Sequence, residues 1–196
     1  MSAEIAADAP PDRPAGRLLL LGAGHAHLHV IRHARRLAQH GLDVTLIDPD
    51  RFWYSGLATG MLGGMYPCEL DQVDAGRLIE KHGGRFVRDR AIRIDPAAQQ
   101  VHLAGGSSIG YDMLSINIGS VVPLDRVPGA APIAWPAKPI SGLCRLREHL
   151  SERFARQSPG QTLRIVVIGG GATGCELAAN LAELAQRRQG RVELTL

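Results

Sequence analysis

The 196-residue sequence is poor in cysteine, in lysine and in aromatic residues. Its three cysteines, Cys68, Cys144 and Cys175, are far apart, form no C-x-x-C and have no metal-ligand spacing, which argues against a cysteine-based metal site. An odd number of cysteines without a secretory signal fits a reducing cytosol. Of the 22 basic residues only Lys81 and Lys138 are lysine. The arginines are scattered, make no basic stripe and are little interleaved with aromatics; with a net charge of only +3, this excludes nucleic acid as the expected partner. No apolar run approaches the roughly 20 residues that a membrane helix needs. Residues 1–15 carry Pro10, Pro11 and Pro14 and lack the apolar stretch of a signal peptide, so a loose tail is expected there. A cytoplasmic protein, at most peripheral at the inner membrane face, is the expected class.

What is present is a pair of glycine-rich loops, each placed where a strand hands over to a helix. The first, Gly22-Ala23-Gly24-His25-Ala26-His27, follows the apolar run Leu18–Leu21. The second, Gly169-Gly170-Gly171-Ala172-Thr173-Gly174, follows Ile165–Ile168. After the first loop the pattern predicts a helix over 25–40, closed by Gly41, and a second strand at Val44–Ile47. This is a βαβ unit of mononucleotide-binding length. Residues 55–67, rich in glycine and methionine, suit a loop or short helix beside a ligand and suit an ordinary turn-rich connection equally. A helix is expected over 74–83, a strand near 85–88, an antiparallel meander over 90–110 and a return strand at Tyr111–Ile116. Five prolines in 121–139 mark a linker. A helix over 140–156 precedes a second βαβ unit: a strand at Leu163–Ile168, a helix over 172–188 and a strand at Val192–Leu196.

The loops carry the candidate chemistry. Gly22 permits a tight turn, and Gly24 lets the backbone approach a pyrophosphate. The charge of that group would meet the N-terminal dipole of the following helix, where His25 and Ala26 lie. Asp48, at the end of the second strand, could accept hydrogen bonds from ribose hydroxyls and would repel a 2′-phosphate. His27 departs from the fingerprint, which prefers a third glycine there, so a wider approach or another side-chain exit is expected. In the second loop Gly169, Gly171 and Gly174 are all present. Glu176, in the first helical turn, either favours the helix dipole or faces a bound nicotinamide and flavin, the latter making it a candidate catalytic residue. His25, His29 and His33 would share a helix face, but no carboxylate joins them and no metal is expected.

The order of a glycine loop, an acid-ended strand, a meander, Y-D-x-L-x-I-x-x-G-S at 111–120 and a second glycine loop resembles the two-dinucleotide-binding-domain flavoproteins of the pyridine nucleotide-disulfide oxidoreductase superfamily. GHAHLHV, the YSG of 54–56 and YDMLSINIGS resemble one branch of it: type II NADH dehydrogenases, sulfide:quinone reductases and the flavoprotein modules fused to selenophosphate synthetase. The resemblance implies an α/β fold. A Rossmann-like FAD domain with an antiparallel meander would span 16–125, followed by a linker and helix over 126–160 and the start of an NAD(P)H domain at 161–196. It implies FAD at the first loop and NAD(P)H at the second. It also implies flavin contacts from Asn117 and Gly119, where Ile118 replaces the family's usual threonine, adenine contacts from backbone near Arg90 and Ala91, and a cofactor contact from Lys138. The implied activity is hydride transfer to flavin, then electron delivery to a quinone or other small acceptor. The family's C-x-x-x-x-C pair is missing, since residues 50–70 hold only Cys68, so no dithiol relay is expected. The chain reads as an N-terminal fragment, inactive alone, because it stops 22 residues after the second loop, before the sheet behind that loop and the remaining flavin contacts; the residue that would choose NADH over NADPH is expected after Leu196. The alternative is a nucleotide-binding remnant or regulatory interaction module without turnover.

Overall fold

The protein was analysed as a computed structural model that describes residues 16–196; the tail expected over 1–15 lies outside them. In chain order the elements are β1 (Gly16–Leu21), α1 (His25–Arg32), α2 (Ala34–Gln39), β2 (Leu42–Ile47), β3 (Phe52–Trp53), α3 (Ala58–Leu62), a 3-10 turn (Cys68–Asp71), β4 (Gln72–Val73), α4 (Ala75–Lys81), β5 (Arg85–Val87), β6 (Ala91–Asp95), β7 (Gln100–Leu103), β8 (Ser108–Gly110), β9 (Met113–Ile116), a 3-10 turn (Leu124–Arg126), α5 (Ser141–Ala155), β10 (Leu163–Val166), α6 (Ala172–Arg187) and β11 (Val192–Thr195). They group into two compact units. One holds residues 16–52 together with Asp74–Gly119; the other holds Trp53–Val73 together with Ser120–Leu196.

The first unit is built on a parallel sheet in the order β5-β2-β1-β9. Alternation of side chains along β1 and β2 divides its core in two. Leu20, Val44 and Leu46 pack on one face against Ile31, Ala34, Ala75 and Ile79 of the helices. Leu19, Leu21 and Ile47 pack on the other against Val101, Leu103 and Tyr111. Val101 and Leu103 belong to the antiparallel meander β6-β7-β8, so the sheet lies between helices and meander. Full burial of each large aliphatic side chain contributes about 1.5–3 kcal/mol, which makes this double-faced sheet the main source of the unit's stability.

The single helix expected over 25–40 is two helices, and the reason is a side chain. The His33 ring nitrogen Nδ1 donates to the His29 carbonyl at 2.8 Å. That carbonyl is the acceptor an unbroken helix would offer to the His33 amide, which turns instead to Val30 O at 2.9 Å. His40 repeats the device at the end of α2, its Nδ1 donating to Arg36 O at 2.7 Å. Gly41, at φ +81°, then releases the chain into β2.

The second unit packs α3, α5 and α6 with the parallel pair β10 and β11. Met61, Leu62 and Leu184 are fully buried at its centre. The glycine- and methionine-rich stretch is therefore packed in protein: α3 sits in the core, and Gly63 brings its backbone so near α6 that a Cβ there would lie 2.5 Å from Asn180 Oδ1. Phe154 fills the space left by Gly190 in the same way.

Candidate functional site

In an open parallel sheet, ligands gather at the carboxyl ends of the strands where the strand order reverses. In the first unit the chain runs outward from β1 to β2 and β5, then returns on the far side of β1 as β9. The reversal lies between β1 and β9. Gly22–Gly24 leave β1 at that point, and Asn117–Gly119 leave β9 there. Sequence positions about 95 residues apart thus meet at one end of one sheet, as a dinucleotide site requires.

The contacts in this loop are specific. Gly24 N donates to Asn117 O at 3.0 Å, and Ala26 N donates to Asn117 Oδ1 at 3.0 Å. The Asn117 side chain therefore caps α1 from a distance, where the helix has no cap of its own. Asp48 Oδ2 accepts from Ala23 N at 2.7 Å and Oδ1 from Asp50 N at 2.9 Å. Each carboxylate oxygen retains a second lone pair, so Asp48 shapes the loop and still offers acceptors at its rim. Gly22, at φ +81°, would place a Cβ 2.7 Å from Asn117 O. A Cβ on Gly24 would collide with the Asn117 side chain and carbonyl. Both glycines are therefore required by the neighbouring protein segment, in addition to the pyrophosphate approach read from the motif.

His27 takes the second of the two exits expected of it. It is buried, its Nδ1 lies 2.6 Å from Gly22 O and its Nε2 lies 2.8 Å from Ser115 Oγ. A carbonyl only accepts, so Nδ1 carries the hydrogen, and Nε2 is left to meet the Ser115 hydroxyl. The ring thus ties the glycine loop to β9 where the fingerprint would have had empty space. His25 and Ala26 are exposed at the start of α1, and the His25 ring packs edge-on to Phe52 at 4.9 Å. His29 and His33 face each other at 4.6 Å. Among the described residues no group of three metal-ligating side chains occurs. Ala91 opens β6, and the carbonyl of Arg90 is held by Ala104 N at 2.9 Å, so that acceptor is already engaged by the meander. Gly119 is exposed with open space around its α-carbon.

The second loop is of a different kind. A Cβ on Gly169, Gly170 or Gly171 would meet nothing within 4 Å, and all three glycines are exposed. Gly171 caps the 16-residue α6 without any side-chain hydrogen bond. Gly174 is buried one turn on, where a Cβ would collide with Gly169 O. Open glycine backbone before an uncapped helix start leaves room for a phosphate group. Glu176 is exposed as the fifth residue of α6, past the first turn where the sequence placed it, because the helix begins at Ala172; its Oε2 lies 3.4 Å from Thr59 Oγ1 of α3. Cys175 is exposed and stands outside the Cys68–Cys144 disulfide.

Lys138 is half-buried and precedes a cis peptide bond to Pro139. Its carbonyl accepts from Val122 N at 3.3 Å. Its positive charge acts on Asp71, a residue that sequence reading passed over. Asp71 has no exposed surface, and neither carboxylate oxygen has a hydrogen-bond partner. Burial pushes its pKa up to about 6, against the opposing pull of Lys138. Nothing in the local pattern CELDQVD separates this acid from the solvated acids beside it.

Residues 16–194 match the sequence model of the pyridine nucleotide-disulphide oxidoreductase family. The chain is 27% identical to the alternative NAD(P)H-ubiquinone oxidoreductase C1 of Arabidopsis thaliana, over 91% of this chain and 38% of that protein. It is 25% identical to the demethylphylloquinone reductase of Synechocystis, over 91% of this chain and 45% of the relative. Among solved structures it resembles the sulfide:quinone oxidoreductase of Aquifex aeolicus, with a TM-score of 0.66 and 21% identity over 89% of this chain and 40% of that one. Putidaredoxin reductase, solved in covalent complex with putidaredoxin, gives a TM-score of 0.65 at 19% identity over 93% of this chain and 42% of that one. The chain spans about two-fifths of the length of the curated relatives that it matches.

Proposed function

Because the chain belongs to the pyridine nucleotide-disulphide oxidoreductase family, we propose that it supplies the FAD-binding part and the opening of the NAD(P)H-binding part of an FAD-dependent NAD(P)H oxidoreductase. The electron acceptor in this reading is a quinone or another small molecule, supported by relatives that are named as quinone reductases. The observation that carries it is the meeting of Gly22–Gly24, Asp48 and Asn117–Gly119 at the reversal of strand order, in a chain with this family membership. Bound at that end, flavin supplies hydride acceptance and onward electron transfer.

The chain's own residues do the holding. The dipole of α1, at whose start His25 and Ala26 lie, counters the pyrophosphate charge, while the Ala26 amide itself is held by Asn117 Oδ1. Asp48 takes ribose hydroxyls on its free lone pairs, and backbone near Ala91 borders the adenine. Asn117 and Gly119 line the path of the chain past the flavin. Gly169, Gly171 and Gly174 form the cradle for the pyrophosphate of NAD(P)H. Glu176, exposed and with its Oε2 3.4 Å from Thr59 Oγ1, is the side chain of α6 to which this reading gives the orienting of a nicotinamide.

Protein reconstituted with FAD should retain about one flavin per chain, as other dinucleotide-binding units do. A version extended to the relatives' length should bleach the flavin band near ~450 nm when NADH or NADPH is added without oxygen. Failure to retain flavin would contradict the reading. Retention without bleaching would support the alternative, a nucleotide-binding module without turnover.

A further inference from the structure

We propose that Cys68 and Cys144 form a thiol-exchange pair in the core of the second unit, in which Arg147 makes Cys68 the leaving thiolate. The sequence pattern offered no such pair, because the two lie 76 residues apart and no short motif joins them. The structure bonds them to each other. Cys68 begins the 3-10 turn after Tyr66-Pro67, and Cys144 lies in the first turn of α5. Both are buried, together with Met61, in the core of the second unit.

Arg147, one helical turn after Cys144, gives the pair a direction. Its Nη1 donates to Met61 O at 3.1 Å and to Tyr66 O at 2.9 Å. Its Nη2 lies 3.2 Å from Cys68 Sγ. Two carbonyls thus hold a guanidinium against one of the two sulfurs. A positive charge at hydrogen-bond distance stabilises a thiolate, so the electron pair released on cleavage is better placed on Cys68 than on Cys144. The thiolate of a dithiol reductant attacks Cys144 Sγ, the bond between Cys68 and Cys144 breaks, and its electron pair leaves on Cys68. The second thiol of the reductant then attacks the mixed disulfide and frees Cys144. Two electrons pass from the dithiol, which becomes a cyclic disulfide, and the chain gains two thiols. No flavin takes part, so the proposal stands independently of the reading above.

The test uses the whole chain and mass spectrometry. Under denaturing, non-reducing conditions, only Cys175 should react with iodoacetamide. After dithiothreitol and desalting under anaerobic conditions, the folded protein should alkylate at Cys68 about tenfold faster than at Cys144 at pH 7, the order of effect expected when a cation favours the thiolate. Arg147→Gln should remove most of that preference. Arg147→Lys, which keeps the charge, should retain part of it, and comparing the two separates electrostatics from loss of the carbonyl contacts. The proposal is overturned if Cys68 and Cys144 alkylate without reductant, if they react at equal rates after reduction, or if Arg147→Gln, folded by circular dichroism, leaves the ratio unchanged.

Discussion

The two glycine loops share a motif and differ in what surrounds it. In the first, Gly22 and Gly24 are pressed against Asn117 and Ile118, and the amides of Ala23, Gly24 and Ala26 already have protein acceptors. In the second, Gly169, Gly170 and Gly171 face open space. A glycine fingerprint therefore records two separate demands: close packing within the unit, and room for a phosphate. The first loop meets the packing demand through a four-stranded sheet that returns beside it as β9. The second stands on the two-stranded pair β10–β11, and only Gly174 is fixed by a close neighbour.

Gly24→Val breaks this comparison most severely. The new side chain collides with Asn117, and overpacking of this kind costs about 1–3 kcal/mol or more. Urea unfolding should show that loss in the first unit, with flavin retention lost alongside.

The next effect probes the second unit through its buried acid. The folded pKa of Asp71, about 6, is raised above the ordinary carboxylate value. Its stabilising, protonated form is therefore fully present below pH 3.8 and is lost as pH rises through about 6. Asp71→Asn removes that dependence. At pH 7 the variant should be more stable than the parent by about 3 kcal/mol, and the difference should shrink toward pH 4. A difference independent of pH, from unfolding curves at both ends of the range, would contradict a buried, unpartnered carboxylate.

Asn117→Ala removes the distant cap on Ala26 N and should cost about 1 kcal/mol, the usual value of a helix N-cap, measured by chemical denaturation. The smallest effect is expected at Gly170→Ala, where the added carbon meets nothing. Stability should change by less than about 0.5 kcal/mol, as for surface substitutions generally. A large loss there would mean that the second loop is as tightly packed as the first.

Much of this architecture was legible in the sequence because it is local. Apolar runs followed by glycine, the closing Gly41 and the turn-separated short strands each carry their own physical signal, and the strands and helices fall within a few residues of where those signals place them. What was not legible depends on distant partners. His27 looked like a defect in the fingerprint until its ring was seen to bridge Gly22 and Ser115, 88 positions away from the latter. The break at His33 follows from a side chain competing for a backbone carbonyl, which helical periodicity does not report. Cys68 seemed solitary because its partner is on α5. Asp71 is distinguished from Glu69 and Asp74 only by burial.

The central claim, that the first loop takes the pyrophosphate of FAD at the start of α1, is tested most directly by Ala26→Asp. Ala26 is exposed, and an acid in a first helical turn favours the helix dipole by about 0.3–1 kcal/mol, so the fold should hold or gain slightly. The same charge would stand where the account places the pyrophosphate. Equilibrium dialysis against FAD, with thermal unfolding run in parallel, should show flavin binding weakened by about tenfold or more while the melting temperature is kept, since every 1.4 kcal/mol of repulsion is a factor of ten. Equal flavin affinity in the parent and in a normally folded Ala26→Asp would contradict it.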